Sequence, residues 1–178
     1  EIEISGVCMA DAAPLLSARA DQIGMPASIT GNTMTATLPN MENARILIPQ
    51  LLITIGAFQA DDSNGKTHLT NQQIDEVAID LNESGMPVTY IKLNADGRAI
   101  AKNTSADTLL TPMVDGSSFS NVGMDELQDD PVIALQSGSG MTADRMKRAA
   151  DLAIVLQHGP LPCPLRIVGV TAAPTAAE

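Results

Sequence analysis

Aromatic side chains are nearly missing from this sequence: one tyrosine, two phenylalanines and no tryptophan among 178 residues. The core that such a length can bury must therefore be filled by aliphatic side chains, alanine and nine methionines. Methionine is unbranched and fits irregular gaps, so it can fill a soft core or line an adaptable apolar groove. Basic residues are also scarce, 10 against 21 acidic ones for a formal net charge of -11, and they form no cluster. Binding to a phosphate backbone needs clustered Lys and Arg, which excludes nucleic acid as a partner. Long apolar runs are lacking as well. The most apolar stretch, Ile46 to Phe58, is interrupted by Pro49, Gln50 and Thr54 and is too short to cross about 30 Å of hydrocarbon. It reads as a core element. The chain starts at Glu1 without an initiator methionine, as expected of a sequence trimmed of a signal or membrane segment.

The most informative stretch runs from Pro131 to Val170. Val132 to Gln136 is a short apolar run closed by Ser137, Gly138, Ser139 and Gly140, the pattern of a buried strand followed by a turn. Thr142 can cap a helix, and Asp144 places a negative charge at its positive end. Met146, Ala149, Ala150, Ala153 and Leu156 make one apolar stripe on that helix. Gly159 supplies a left-handed C-terminal residue, Pro160, Pro162 and Pro164 prevent continuation, and Leu165 to Val170 reads as a strand.

Earlier in the chain, Glu1 to Val7 alternates as a half-buried strand, and Asp11 to Ile23 reads as a helix with Leu15, Leu16, Ala18, Arg19 and Ile23 on its face. Gly31-Asn32 marks a hairpin between Ala27–Thr30 and Met34–Leu38. Asn40 can cap a helix through Leu52, kinked at Pro49, with a strand from Ile55 to Gln59, so the order is β-α-β-β-α-β, that of a ferredoxin-like unit. The polar run Ala60 to Lys66 is the expected boundary. Beyond it come a short helix at Asn71–Asp75, strands at Val77–Leu81 and Val88–Leu93, a helix capped by Asn94, and a hairpin through Asp115-Gly116. Met124 to Asp130 has no assignment, and Thr171 to Glu178 is expected to be disordered or a linker. The length fits one domain or two small, joined ones.

The order of Gly-Ser turn, threonine-led helix and the run His158 to Val168 resembles the SecD family, extracytoplasmic accessory subunits of the bacterial protein-export machinery. Ser17 to Met25, the hairpin, and Leu38-Pro39-Asn40 match the same family, with Asn40 where it has glycine. Met86 to Gly97 and Val114-Asp115-Gly116 are similar to the head of its first periplasmic domain. The resemblance covers nearly the whole chain at low identity. It implies an α+β fold with a ferredoxin-like base, residues 1–59 and 143–170, and an inserted head, residues 60–142, with 171–178 as a tail. It also implies a non-catalytic, extracytoplasmic domain of a membrane protein that takes hold of unfolded preprotein. Its partners would be a SecF-like subunit and the translocon channel, reached through segments absent here. The competing reading is a secreted or surface module, also non-catalytic, that binds a small solute or another protein.

Candidate chemical sites are few. His68 and His158 have no Cys, Asp or Glu at a metal-ligand spacing, so structural roles are expected; His158 would sit at a helix C-terminus, where its positive form suits the dipole. Ser139 lies between glycines, but neither a Walker-type lysine nor a nucleophile elbow follows. Asp61-Asp62-Ser63-Asn64-Gly65 has a calcium-like composition without the spacing and final Glu of an EF-hand. No Cys/His or Ser/His constellation points to an enzyme, and neither metal nor cofactor is expected. Met86, Met113 and Phe119 are the expected contributors to an apolar groove on the head. In a ferredoxin-like sheet the first and last strands are antiparallel neighbours, so the end of one, at Cys8, meets the start of the other, at Cys163. A disulfide there and two buried free thiols both fit.

Overall fold

The computed structural model describes residues 2–39, 43–136 and 140–171. In chain order these form β1 (Ile2–Ser5), α1 (Met9–Gln22), β2 (Ala27–Thr30), β3 (Thr33–Ala36), α2 (Ala44–Ile53), β4 (Phe58–Asp62), β5 (Thr67–Thr70), a 3-10 turn (Asn71–Gln73), β6 (Ile74–Leu81) and β7 (Pro87–Leu93). There follow α3 (Ala95–Asn103), β8 (Leu109–Val114), β9 (Ser117–Ser118), β10 (Val122–Gly123), α4 (Met124–Asp129), β11 (Val132–Leu135), α5 (Thr142–Gln157) and β12 (Arg166–Val170). Helix and sheet are mixed throughout, an α+β fold. The chain divides into two units: a base of Glu1–Ile55 with Leu161–Glu178, and a head of Gly56–Pro160.

The base is one antiparallel sheet in the order β12-β1-β3-β2; α1 joins β1 to β2, and α2 follows β3. Alternation in β1 sends Ile2 and Ile4 to one face, opposite Ala36 and Met34 of β3. All four are buried, with Met9, Ala12, Leu16 and Ala20 of α1 and Leu52 of α2 in the same cluster. Thr30 pairs with Thr33, and within the two-residue turn only Gly31 takes a positive φ, the arrangement that places glycine first in a tight hairpin. Ile55 and Leu161, where the base hands over to the head and resumes, are tied by a Leu161 N–H to Ile55 carbonyl bond of 2.8 Å. The insertion therefore leaves no gap in the base.

The head holds two sheets, β10-β8-β4-β5 with β9 on β8, and β11-β7-β6. Its core joins Phe58, Leu69, Ile91, Leu93, Leu110, Ile133, Leu135 and Leu156. Asn94 caps α3, its Oδ1 accepting from the Gly97 N–H at 3.0 Å. At the β8–β9 turn Asp115 takes a left-handed φ of 49° beside Gly116, and its carboxylate accepts from Gly56 and Ala57 N–H at 2.9 and 2.8 Å. The first residues of the head are thus anchored to its own hairpin.

Four expectations about boundaries change. Helix α5 belongs to the head, not to the base: its buried Ala149, Ala153, Val155 and Leu156 serve the head, and the Thr89 hydroxyl of β7 donates to the Ala149 carbonyl at 3.1 Å. Met146, expected in the apolar stripe, remains exposed. The boundary expected at Ala60–Lys66 falls earlier, between Ile55 and Gly56, and the run itself is the end of β4 and a tight turn, because the Asp62 carboxylate accepts from Asn64 and Lys66 N–H at 2.8 and 3.1 Å. The strand expected at Ile55–Gln59 begins at Phe58 and pairs with β5 and β8 in the head, and β12 completes the base sheet. Thr142 is the first residue of α5 and Met141 the cap position, with no side-chain cap bond. The expected Asn40 cap, the Ser137–Ser139 turn and most of the tail lie outside the described residues.

Candidate functional site

On the head, the alternation of Val88-Thr89-Tyr90-Ile91-Lys92-Leu93 sends Thr89, Ile91 and Leu93 into the core, all fully buried, and leaves Val88 and Tyr90 on the other face of β7. Tyr90 lies opposite Ala134 of β11 and Lys92 opposite Val132. Together with the segment Ser120–Val122 and Glu126 of α4, this face forms a cleft of about 210 Å³ lined by Asn82, Val88, Tyr90, Val132, Ala134 and Gln136. Its floor is apolar and its rim polar. Asn121 is held there by a Thr111 hydroxyl bond to its Oδ1 at 2.9 Å, and Asn82 spends its Oδ1 on the N–H groups of Ser84 and Met86. Glu126 is the one carboxylate in that lining. The volume falls below the 300–1,000 Å³ typical of drug-sized ligand sites, whereas a few side chains of an extended peptide fit such a cleft.

The three residues expected to contribute to an apolar groove fall on different elements. Met86 is half-buried in the β6–β7 turn, while Met113 lies on β8 in the other sheet, opposite Gln59 and Ser118. Phe119 packs against the head core. With so few aromatics, the core has the first claim on Phe119. None of the three lines the cleft. The cleft's acidic contributor comes from α4, in the stretch to which sequence gave no assignment; its signal was Met124 and Leu127 at helical spacing, both buried.

The remaining candidates resolve into structural contacts. His68 Nε2 lies 3.0 Å from Asp62 Oδ2, and the two side chains keep 7% and 13% of their exposure. This hydrogen bond, then the N–H groups of Lys66 and Asn64, holds the Asp62 carboxyl below its ordinary pKa. Because the folded value is depressed, the contribution is fully present above the unfolded pKa and is lost as pH falls through the folded one. An NMR titration following the Asn64 and Lys66 amides is therefore expected to show a midpoint below that of an unperturbed aspartate, and a midpoint at or above that of the unperturbed group would refute the turn as drawn. Asp61 is likewise engaged, by the Thr67 hydroxyl and the Gln59 amide, so the run 61–65 spends its carboxylates on the hairpin. His158 is the C-cap of α5. Among the described residues no group of three or more His, Cys, Asp or Glu is placed to hold a metal ion, and no helix is long and apolar enough to cross a membrane. In the base, Cys8 and Cys163 are joined in a disulfide with Cα atoms 6.1 Å apart.

These features define a two-unit α+β module: a base closed by a disulfide, carrying an inserted head with a shallow, acidic-rimmed cleft. No family model matches the chain. It is 28% identical over 116 residues to protein translocase subunit SecD of Dictyoglomus turgidum, covering 60% of this chain and 26% of that protein. In fold it is similar to a solved structure of SecDF, a membrane component that enhances protein export, with a TM-score of 0.75 at 15% identity over 97% of this chain and 99% of that one. A structure of SecDF in the super-membrane-facing form gives a TM-score of 0.71 at 14% identity, covering 94% of this chain and 29% of that one. The chain is thus similar in part of its sequence to SecD and in fold to SecDF. It spans about a quarter of the length of the curated relative it matches.

Proposed function

We propose that the chain is the extracytoplasmic preprotein-binding domain of a SecD-like protein-export accessory subunit, and that it binds without catalysis. The observation that carries this reading is the coincidence of sequence similarity to SecD with a SecDF-like fold over 97% of the chain. The site is in keeping with it. An apolar floor without a nucleophile–base pair suits side chains of varied sequence, and a polar rim leaves the bound chain free to depart. A SecF-like subunit and the translocon channel would be engaged through segments beyond this chain. The test is an NMR titration of the isotope-labelled chain with a reduced, alkylated, unfolded polypeptide. Shifts are expected at Val88, Tyr90 and Ala134 of the head. Their absence, or shifts confined to the base, would overturn the proposal.

A further inference from the structure

The two edges of the three-stranded head sheet, β6 and β11, treat their outward backbone groups differently. At β6, the Asn82 N–H donates to the Met86 carbonyl at 2.9 Å. Since bonded and non-bonded pairs alternate in an antiparallel ladder, Val77, Ile79 and Leu81 turn their backbone groups away from β7. Two of those three N–H groups are already closed: Val77 donates to Gln157 Oε1 at 3.2 Å and Leu81 to the Asp80 carboxylate at 2.7 Å.

At β11 the Leu93 N–H donates to the Pro131 carbonyl at 2.9 Å. With Ile133 opposite Ile91 and Leu135 opposite Thr89, these are the bonded pairs, and Val132 and Ala134 face outward. The Val132 N–H turns back to the Asp130 carbonyl at 2.8 Å. The Val132 carbonyl and both backbone groups of Ala134 remain, at a residue that is exposed. Among the described residues no strand pairs with this side of β11. An unpaired edge of this kind accepts another chain through main-chain bonds, irrespective of its sequence.

Charge narrows the occupant. No Lys or Arg occurs between Lys102 and Arg145, whereas Asp125, Glu126, Asp129 and Asp130 fall within this stretch, immediately before β11. Glu126 also stands at the cleft beside Ala134. We propose that the open edge of β11 takes up an extended, lysine- or arginine-bearing segment of an unfolded polypeptide as an added strand. Its alternate side chains continue the Tyr90–Ala134 row of the cleft, and its basic groups face Glu126. This rests on the preprotein-binding reading and specifies how that binding is made.

The experiment uses the labelled 178-residue chain with peptides of about ten residues alternating lysine and valine. Two further versions carry N-methyl groups on one or the other set of alternate amides, and one replaces lysine by glutamate. Binding of the lysine peptide is expected to slow exchange of the Ala134 amide. One N-methylated version should lose affinity about tenfold or more, because the two main-chain bonds to the Val132 and Ala134 carbonyls are lost, and the glutamate peptide should bind at least about tenfold more weakly than the lysine peptide. Ala134→Pro removes an N–H that the β7 ladder does not use and should reproduce the loss. Should Ala134→Pro fail to fold, the methylated peptides decide alone. Equal binding of all lysine peptides would overturn strand addition while leaving preprotein binding intact, and equal binding of lysine and glutamate peptides would overturn the charge preference. Failure of both these peptides and the unfolded polypeptide to bind would overturn the underlying reading.

Discussion

Replacing Arg19 by methionine is expected to destabilise the base by about 3 to 4 kcal/mol. Arg19 lies on α1 with no exposed surface. Its Nη1 donates to the carbonyls of Leu52 and Thr54 at 3.1 and 2.5 Å, and its Nη2 to the carbonyl of Ile55 at 3.2 Å. The last carbonyls of a helix lack intrahelical donors, so the guanidinium of one helix satisfies the end of the next, with its charge at the negative pole of α2. Methionine would keep much of the volume and leave these carbonyls without that donor beside a fully buried position. Lysine would keep the charge, but a compact ammonium cannot reproduce a planar fork across three acceptors, so an intermediate loss is expected. The readout must separate the units, because Phe58, Tyr90 and Phe119 all belong to the head and Tyr90 fluorescence is blind to the base. Amide exchange in urea at Ile2, Ile4 and Met34, compared with Leu93 and Ile133, makes the separation. Unchanged protection of the first set in Arg19→Met would refute the role assigned to Arg19.

Much of the fold was legible because period and punctuation agreed. Ile2 and Ile4, the Gly31 hairpin, the Asn94 cap, the Asp115-Gly116 turn and the Gly159 stop, whose φ is +80°, each have a local cause written in neighbouring residues. Arg19 was half legible: three residues after Leu16 and four before Ile23, it falls on the apolar face of α1, yet nothing local says that carbonyls 33 to 36 residues away will receive it. Helix α5 was misassigned for a similar reason. Its stripe shows that it is buried on one side, but the partner sheet is chosen by long-range contacts such as Thr89 with Ala149. The polar run at 60–66 reads as a boundary because composition cannot distinguish a solvated connection from a turn whose carboxylates bind their own backbone. The cleft was partly visible, since alternation along β7 fixes the faces of Val88 and Tyr90. Its acidic rim was not, because α4 spans only six residues, too short for periodicity to declare it.

Breaking the bond between Cys8 and Cys163, by reduction or in a Cys8→Ala, Cys163→Ala variant, is expected to destabilise the base by about 2 to 5 kcal/mol and the head far less. The register explains why the pair can meet. Ser5 of β1 lies opposite Arg166 of β12, so the chain continuing from one strand passes the chain entering the other. Gly6 permits the approach, since a Cβ there would come within 2.4 Å of Leu165 Cδ2. Cys8 then stands at the cap position of α1, and the bridge joins the start of that helix to the entry of β12. Sequence separation is 155 residues, for which loop entropy gives about 5 kcal/mol. A head that stays folded while the base opens makes the effective loop shorter, near the length of the base segments, and the figure falls to about 4 kcal/mol; residual structure in the opened base lowers it further. Mass spectrometry after alkylation in denaturant is expected to find no reactive thiol before reduction and two after it. The urea midpoint for exchange at Ile2, Ile4 and Met34 should drop on reduction while that of Leu93 and Ile133 holds. Two alkylated thiols without reductant, or base amides indifferent to reductant, would refute the bridge as the clasp of the base.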